Sequence, residues 1–567
     1  MAGILSALHL GQTGMAASQK ALEVVGNNVS NVSTEGYSRQ TIESSALPTL
    51  QRGGLSFGQG VEVSSIERES NMFILERLRA AADQLGNAEA KASPLTDLER
   101  ILSIDEGGLS DSIDDFFGAW QDLSLNPGGE TEREIVLRSA EVLQTEFNQK
   151  MTSLDKLRQS IDSELNTQIA GINAKLEQIA ELNATVQQGL AVGKNPNTAL
   201  DQRDVLLQEL AQRLGATAVE GDNGAVSVQL AGGQTLVQDT SAFTLKATNS
   251  GGVVQDFSLE IGSTTIDLSR EDFGGGFGGL LNVRDEVVTG VQDEMVNLRS
   301  SLIQAVNVQH TQGTDLDGDT GNNFFEPLTH FESNTFTDPT VDATTGSPAG
   351  PSGPSPEVTI NFAGGASEII SGIDPQASYQ DVAQAINDAN VGVSATVVGG
   401  KGPSGGKFAL QIASKDPSTT INTISTSYLS LSSWTSAEGG GDSGLQLAIE
   451  NTDDIAAGES DAPGDNRNAQ KMAGLKNEKM VNGRYTAIDF YGKVAADVGV
   501  AGQQNDFNRS SFQNTVDQLE ARRQEISGVS INESMIKLQR YQKAFQASAQ
   551  YLTTADEMMQ TLLNIKR

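Results

Sequence analysis

Apolar side chains recur at helical spacing in both end regions of this chain, and that pairing constrains the fold more than any other feature. Near the N-terminus Ile4, Leu8, Gly11, Met15, Ser18, Leu22, Val25, Val29 and Val32 follow one another at alternating steps of four and three. Near the C-terminus Ile531, Leu538, Phe545, Leu552 and Met559 recur every seven residues. Such spacing keeps side chains on one helix face, and a sustained seven-residue repeat makes that face a coiled-coil seam. A chain whose two end regions both require a helical partner is expected to assemble. Gly11, Gly14 and Ser18 lie in or beside the first stripe, and a glycine costs about 1 kcal/mol in a helix interior. The first helix is therefore expected to be weak alone and to order when it packs.

The remainder of the 567 residues is too long for one domain and fits several modest cores. Apolar residues make up 37% and aromatics only 5%, which suits long helices and small β modules better than one large globule. A formal net charge of −35 argues against nucleic-acid or anionic-membrane partners, since both need a basic surface. No apolar run is long enough to span a bilayer. With no cysteine, the chain forms no disulfide and offers no thiolate for metal or nucleophilic chemistry. The first basic side chain is Lys20 and no compact apolar core ends at a cleavage site. The reading is therefore a chain without a cleaved secretory signal.

Along the chain the periods change in a nested order. Helix is expected over 1–34, ending at the asparagines before Gly36. Short extended segments follow over 41–69, then helix over 70–125, a turn at Asn126-Pro127-Gly128-Gly129 and a long helix from Thr131 to Gly189. A helix over 198–215 precedes a small β module at 216–270, where Val226, Val228 and Leu230 alternate with polar residues. Another helix covers 280–310. Prolines 339, 348, 351, 354 and 356 mark a linker over 333–357, followed by a second β-rich module with a helix near Tyr379–Asp388. Helix returns over 466–482 and 486–560. The fold class expected is multidomain α+β: paired N- and C-terminal coiled-coil helices, a long-helix bundle domain and an inserted β-rich outer domain. The boundaries are 1–45 with 525–567 for the coiled coil, 46–332 with 466–524 for the bundle, and 333–465 for the linker and insert.

Three sets of residues go beyond pattern. Gly26-Asn27-Asn28-Val29-Ser30-Asn31 through Gly36-Tyr37-Ser38-Arg39-Gln40 resembles the Asn-Asn-x-x-Asn…Gly-Tyr/Phe signature of bacterial flagellar rod, hook and hook-associated proteins. Ser527-Gly528-Val529-Ser530-Ile531-Asn532-Glu533, continuing to Gln539-Arg540-Tyr541-Gln542-Lys543-Ala544-Phe545, is similar to the C-terminal signature of the same axial superfamily. Leu200-Asp201-Gln202-Arg203-Asp204 and Pro463-Gly464-Asp465-Asn466-Arg467-Asn468-Ala469 resemble the hook-associated family within it. Val382-Ala383-Gln384-Ala385-Ile386-Asn387 is similar to a module inserted in flagellins and hook-associated proteins.

The resemblance implies a structural protein of the flagellum, at the hook–filament junction, with no cofactor and no catalysis. Its implied partners are further copies of itself in about elevenfold helical packing, the hook protein, the second junction protein, and a cytoplasmic export chaperone on the C-terminal helix. Its implied location is extracellular, reached through the flagellar type III channel with the N-terminus uncleaved. The assembly seam is assigned to Leu8, Met15, Leu22, Val29, Leu538, Phe545, Leu552 and Met559. The motif residues Asn27, Asn28, Asn31, Gly36, Tyr37 and Arg39 are assigned to the turn that leaves the first helix. The hook protein itself is a second reading, opposed by the Gly-Tyr-Ser-Arg-Gln and Pro-Gly-Asp-Asn segments. A secreted enzyme or adhesin using these end regions only for export is a third.

Three patterns invite other chemistry. Asp315, Asp317, Asp319 and Glu326 imitate an EF-hand loop, but Thr320 stands where the loop needs glycine. Gly274, Gly276 and Gly279 match a dinucleotide fingerprint without a βαβ unit, and are read instead as a flexible lead into the next helix. His9, His310 and His330 are the only histidines and are too scattered to form a triad or metal cluster. Arg203, flanked by Asp201 and Asp204, is read as part of an intrachain ion-pair network or a subunit contact, in preference to a catalytic acid/base pair.

Overall fold

Long helices in both end regions and small sheets between them make up the fold in a computed structural model. It describes residues 2–52, 55–104, 107–250, 253–333, 356–363, 365–374, 377–389, 391–399, 408–414, 421–427, 429, 431, 434–437, 443–460, 462 and 464–565. In chain order the elements are α1 (Ala2–Ser30), β1 (Gln40–Ala46), β2 (Leu50–Arg52), β3 (Leu55–Phe57), β4 (Val61–Arg68), α2 (Met72–Ile101), α3 (Leu109–Leu125), α4 (Glu130–Ala191) and α5 (Asn197–Leu214). Next come β5 (Thr217–Glu220), β6 (Val226–Gln229), β7 (Thr235–Gln238), β8 (Ser241–Ala242), β9 (Thr244–Ser250), β10 (Val253–Ile261), β11 (Thr264–Leu268), α6 (Gly275–Asn282) and α7 (Thr289–His310). The chain continues through β12 (His330–Ser333), β13 (Glu357–Phe362), β14 (Ser367–Ile370), α8 (Tyr379–Asp388), β15 (Val393–Gly399), β16 (Phe408–Ser414), β17 (Ile421–Ser427) and β18 (Trp434–Ala437). It closes with α9 (Arg467–Gly474), α10 (Ala487–Ser527) and α11 (Ile531–Ile565). Helices with several small sheets agree with the mixed class read from the periods. Of the expected linker, residues 334–355 lie outside the described residues.

Two compact units form. One contains Met1–Pro94, Gln159–Arg284 and Gln503–Arg567, the other Leu95–Arg158 and Asp285–Gly502. In the first, α1 packs along α11. Leu78, Ala81 and Leu85 of α2 form a cluster with Val516, Phe512 and Leu519 of α10. The sheets β5–β8 and β11-β10-β9 are held to α4 by asparagines. Asn173 Oδ1 accepts from the Leu245 N–H at 2.9 Å, and its Nδ2 donates to the Leu245 carbonyl at 2.8 Å. Asn183 makes the same pair of bonds to Val226, at 3.0 and 2.8 Å. A carboxamide carries one acceptor and one donor group side by side, so it satisfies a strand edge that a helix would otherwise leave unpaired.

In the second unit the β-rich module has its own core. Val358 and Ile360 of β13 and Leu410 and Ile412 of β16 are fully buried, together with Val382 and Ile386 of α8. Ser378 caps α8 and Asp381 returns the bond, a capping box. The sheet order β15-β16-β12-β18 brings in β12 from before the linker. Elsewhere in this unit Phe116, Trp120, Phe324 and Phe325 pack around His310.

Four details differ from the sequence expectations. The helix expected over 70–125 is two helices, α2 ending at Ile101 and α3 starting at Leu109. The helix expected over 466–482 stops at Gly474, a short 3-10 turn covers Leu475–Asn477, and Asn482 and Gly483 then form a tight turn with positive φ. The helix expected over 486–560 breaks at 528–530. There the Gly528 N–H closes on the Gln524 carbonyl at 2.9 Å, and Ser530 opens a new helix by accepting from the Glu533 N–H at 3.4 Å. The glycines at 274–279 are packed, not flexible. A Cβ on Gly275 would lie 2.5 Å from the Gln212 carbonyl oxygen, and one on Gly279 would lie 2.5 Å from that of Asn87. Backbone approaches backbone there, and only glycine leaves the room.

His310 is fully buried and neutral. Its Nδ1 donates to the Asn322 carbonyl at 2.7 Å and its Nε2 accepts from the Ala456 N–H at 3.0 Å. Burial pushes the imidazole pKa down to about 4. The stability carried by the neutral ring is complete above the unfolded value near 6.5 and is lost as pH falls from there towards 4, about 3 kcal/mol in total. Urea titrations of the wild type at pH 7 and pH 4.5 should show that loss, and His310→Asn should flatten the pH dependence. An equal slope in the variant would refute it.

Candidate assembly interface

Small residues set the contact between α1 and α11. On α1 the buried positions are Gly11, Ser18, Ala21, Val24, Val25 and Asn28. A Cβ on Gly11 would meet the Leu552 side chain at 3.3 Å, and one on Gly14 would meet Ser548 Oγ at 3.0 Å. The seam residues assigned on α1, Leu8, Met15, Leu22 and Val29, are half-buried beside this line. On α11, Leu538, Phe545, Leu552 and Met559 are half-buried and alternate with Ser534, Tyr541, Ser548 and Ala555 at steps of four and three. Ser534 and Ala555 are the buried members. The sequence reading took Gly11, Gly14 and Ser18 as a weakness of the helix, not as the line of closest approach, because small side chains add little apolar area of their own. Its spacing was nonetheless visible in Gly11, Gly14, Ser18 and Ala21.

The motif residues build the exit from α1. Asn28 is buried; its Oδ1 accepts from the Gln40 N–H and the Tyr37 hydroxyl, both at 2.8 Å, and its Nδ2 donates to the Gln40 carbonyl at 2.8 Å. This returns the chain against the helix it has just left. Asn31 Nδ2 donates to the carbonyl and to the Oδ1 of exposed Asn27, at 3.0 and 2.5 Å. Gly36 has φ +75°, and a Cβ there would lie 2.2 Å from Val205 Cγ2 of α5. Burial, aided by Asp201, pushes the Tyr37 hydroxyl pKa up to about 12. Arg39 holds the break between α10 and α11. Its N–H donates to the Ser527 carbonyl at 2.7 Å, its guanidinium donates to the Ile526 carbonyl at 3.1 Å, and Glu533 lies 3.7 Å away. Lys537, then Arg39, hold the Glu533 carboxyl below its ordinary pKa. A groove of about 890 Å³ opens between this turn, α5 and the end of α10, lined by Glu35, Arg39, Glu209, Glu520, Arg523 and Glu533 among others.

The Leu200–Asp204 segment meets the N-terminal motif. Asp201 Oδ2 accepts from the Ser38 N–H at 3.1 Å and its Oδ1 pairs with Arg68 at 3.0 Å. Asp204 bridges Arg68 at 2.6 Å and Arg79 at 2.8 Å. For Arg68 burial lowers the pKa but two carboxylates outweigh it, so the net shift is upward. For Arg79, with one close carboxylate, burial prevails and the shift is downward. The network is intrachain, as read from the sequence, but Arg203 is not bonded to its flanking aspartates. It turns away, donates to Asn183 Oδ1 at 3.0 Å and the Gly224 carbonyl at 2.7 Å, and pairs with Glu220 at 3.4 Å. Neighbours in sequence point to different sides of a helix.

The other patterns resolve into turns. Asp315 Oδ1 accepts from the N–H groups of Asp317 and Asp319 at 3.0 and 2.8 Å, and its Oδ2 accepts from Asn322. Gly318 and Gly321 take positive φ in that loop. Among the described residues no group of three or more His, Asp or Glu side chains is arranged to hold a metal ion, and no helix is long and apolar enough to cross a membrane. The geometry is one of helix pairing and anchored turns.

Comparison with known proteins matches three parts of the chain to family models. Residues 8–37 match the flagella basal body rod protein, 95–325 the flagellar hook-associated protein FlgK helical domain, and 521–565 the flagellar basal body rod FlgEFG protein C-terminal region. The chain is similar to flagellar hook-associated protein 1 of Salmonella typhimurium, at 29% identity over 99% of this chain and 100% of the relative. It is similar to those of Escherichia coli K12, at 28% over 99% and 100%, and Bacillus subtilis, at 23% over 100% and 99%. Among solved structures the flagellar hook junction protein FlgK from Burkholderia pseudomallei aligns with a TM-score of 0.54 and 20% identity, covering 80% of this chain and all of that one. That alignment bears on the fold.

Proposed function

Because the chain belongs to the flagellar hook-associated protein 1 family, we propose that it forms the hook–filament junction as a structural, non-catalytic subunit. The observation that carries this reading is the apolar surface left on the paired end-region helices. Leu10 of α1 and Ile531, Met535, Ile536, Tyr551 and Met558 of α11 are 39–68% exposed although α1 and α11 already pack on each other. Large side chains left in water on a helix pair mark a surface that further chains cover. Copies of the chain would stack in about elevenfold helical packing, with 1–45 and 525–567 as a coiled-coil core. The bundle at 46–332 and 466–524 would surround that core, and the insert at 333–465 would lie outermost.

In this reading Leu8, Met15, Leu22, Val29, Leu538, Phe545, Leu552 and Met559 serve the seam within and between copies. Asn27, Asn28, Asn31, Gly36, Tyr37 and Arg39 fix the direction in which the chain leaves it. The hook protein below and the second junction protein above are the axial neighbours. The C-terminal helix is held by an export chaperone before passage through the type III channel with an uncleaved N-terminus. Electron microscopy of cells lacking this chain tests the proposal: hooks without filaments are expected, and hooks bearing normal filaments would refute it.

A further inference from the structure

The chain holds two Asn–Gly pairs, Asn223–Gly224 and Asn482–Gly483, and both asparagines are exposed. This dipeptide is chemically labile because glycine has no Cβ to hinder attack by its own nitrogen. Both asparagines are exposed, with Gly224 half-buried and Gly483 exposed, and the hydrogen bonding differs. At the first, Asn223 Oδ1 accepts from the Ala225 N–H at 3.0 Å and its Nδ2 donates to Asp239 Oδ1 at 3.1 Å. The attacking group is held as well, since the Gly224 N–H donates to the Gly221 carbonyl at 3.0 Å. At the second, Asn482 Oδ1 receives one long bond, 3.4 Å from Asn297 Nδ2. Among the described residues nothing engages the Gly483 N–H.

We propose that Asn482–Gly483 is a site of spontaneous deamidation and that Asn223–Gly224 is protected by its three hydrogen bonds. The Gly483 nitrogen loses its proton and attacks Cγ of Asn482. The Cγ–Nδ2 bond breaks, ammonia leaves with that proton, and a succinimide closes. Water then opens the ring at either carbonyl, giving aspartate or isoaspartate, so that asparagine plus water yields acid plus ammonia. The isoaspartate form routes the main chain through Cβ and lengthens a two-residue turn with φ +54° and +64°. That turn closes the bridge between Val481 and Tyr485, and Val481 is fully buried. Modification therefore loosens Val481 from the core and adds a negative charge beside Asn297.

The test incubates the full chain at neutral pH and 37 °C beside a synthetic Val-Asn-Gly-Arg-Tyr peptide as a clock, with peptide mass mapping and isoaspartate detection over the same days. Three bonds must break at the first site against one long bond at the second, so conversion at Asn482 is expected at least about tenfold faster than at Asn223. Amide exchange at Val481 and Tyr485 should rise in step with isoaspartate, and Asn482→Gly should abolish both signals. Conversion at Asn223 within tenfold of Asn482, or no conversion at Asn482 once the peptide has fully reacted, would overturn the proposal.

Discussion

Replacing Asp204 by alanine is expected to destabilise the first compact unit by about 3–5 kcal/mol, the usual result of removing one partner from a buried ion pair. Among the described residues Asp204 is the only carboxylate within bonding distance of Arg79, and it shares Arg68 with Asp201. All three side chains of the Asp204 bridge are about 10% exposed. Its loss leaves one guanidinium half-satisfied and the other without its ion-pair partner, in surroundings where burial already lowers the pKa of Arg79. Asp201→Ala should cost less, because Arg68 keeps Asp204. Arg100→Ala is the control: its pair with Asp97 is exposed, 75% and 42%, and such pairs contribute about 0–1 kcal/mol. Native-state hydrogen exchange of amides in α2 and α5 reads the unit directly. A loss for Asp204→Ala no larger than that for Arg100→Ala would show that the network does not hold this region.

The second large effect concerns the helix pair. Gly11→Leu combined with Gly14→Leu should force α1 from α11 and abolish swimming, while the second compact unit keeps its stability. Leucine at either place drives a branched side chain into Leu552 or Ser548 from 3.3 and 3.0 Å, and overpacking of that kind costs about 1–3 kcal/mol per site. Alanine differs in sign. The contact at Gly11 falls on the flexible Leu552 side chain, and alanine gains about 1 kcal/mol of helix propensity over glycine. Gly11→Ala should therefore leave assembly intact and strengthen α1. Soft-agar motility with electron microscopy of the hooks separates the two. Swimming by the double leucine variant would mean that close approach at this seam is dispensable.

How much of this was legible beforehand depends on the range of the interaction. The alternation of Val226, Val228 and Leu230 announced β6, and the run Tyr379–Asp388 announced α8, because a strand or a helix is a local pattern repeated. The break at Ser527–Ser530 was hidden, since it is set by one backbone closure onto Gln524 and by the anchor of Arg39, almost five hundred residues away in sequence. Asn28 was read with the end of the first helix, and nothing in the local pattern singled out Asn173 or Asn183. Each instead caps a strand edge elsewhere in the chain. Arg203 looked like the centre of an ion-pair triplet because of its neighbours, yet Asp201 and Asp204, three residues apart, share one face of α5 and both pair with Arg68, while Arg203 points to another side, towards Asn183 and Glu220.

The sequence by itself determined that the two end regions are helical and apolar along one side, the first carrying only Lys20 and Glu23 as charged side chains up to residue 34, and its Asn-Asn…Gly-Tyr-Ser-Arg-Gln segment pointed to the axial proteins of the flagellum. Only the tertiary structure decided which side of α1 meets α11. Hydropathy marks where large apolar groups lie, but two helices come closest where side chains are smallest. Gly11 and Gly14 therefore make the close contact, with Ser18 buried one turn on, and Leu8, Met15, Leu22 and Val29 stay half-open beside them.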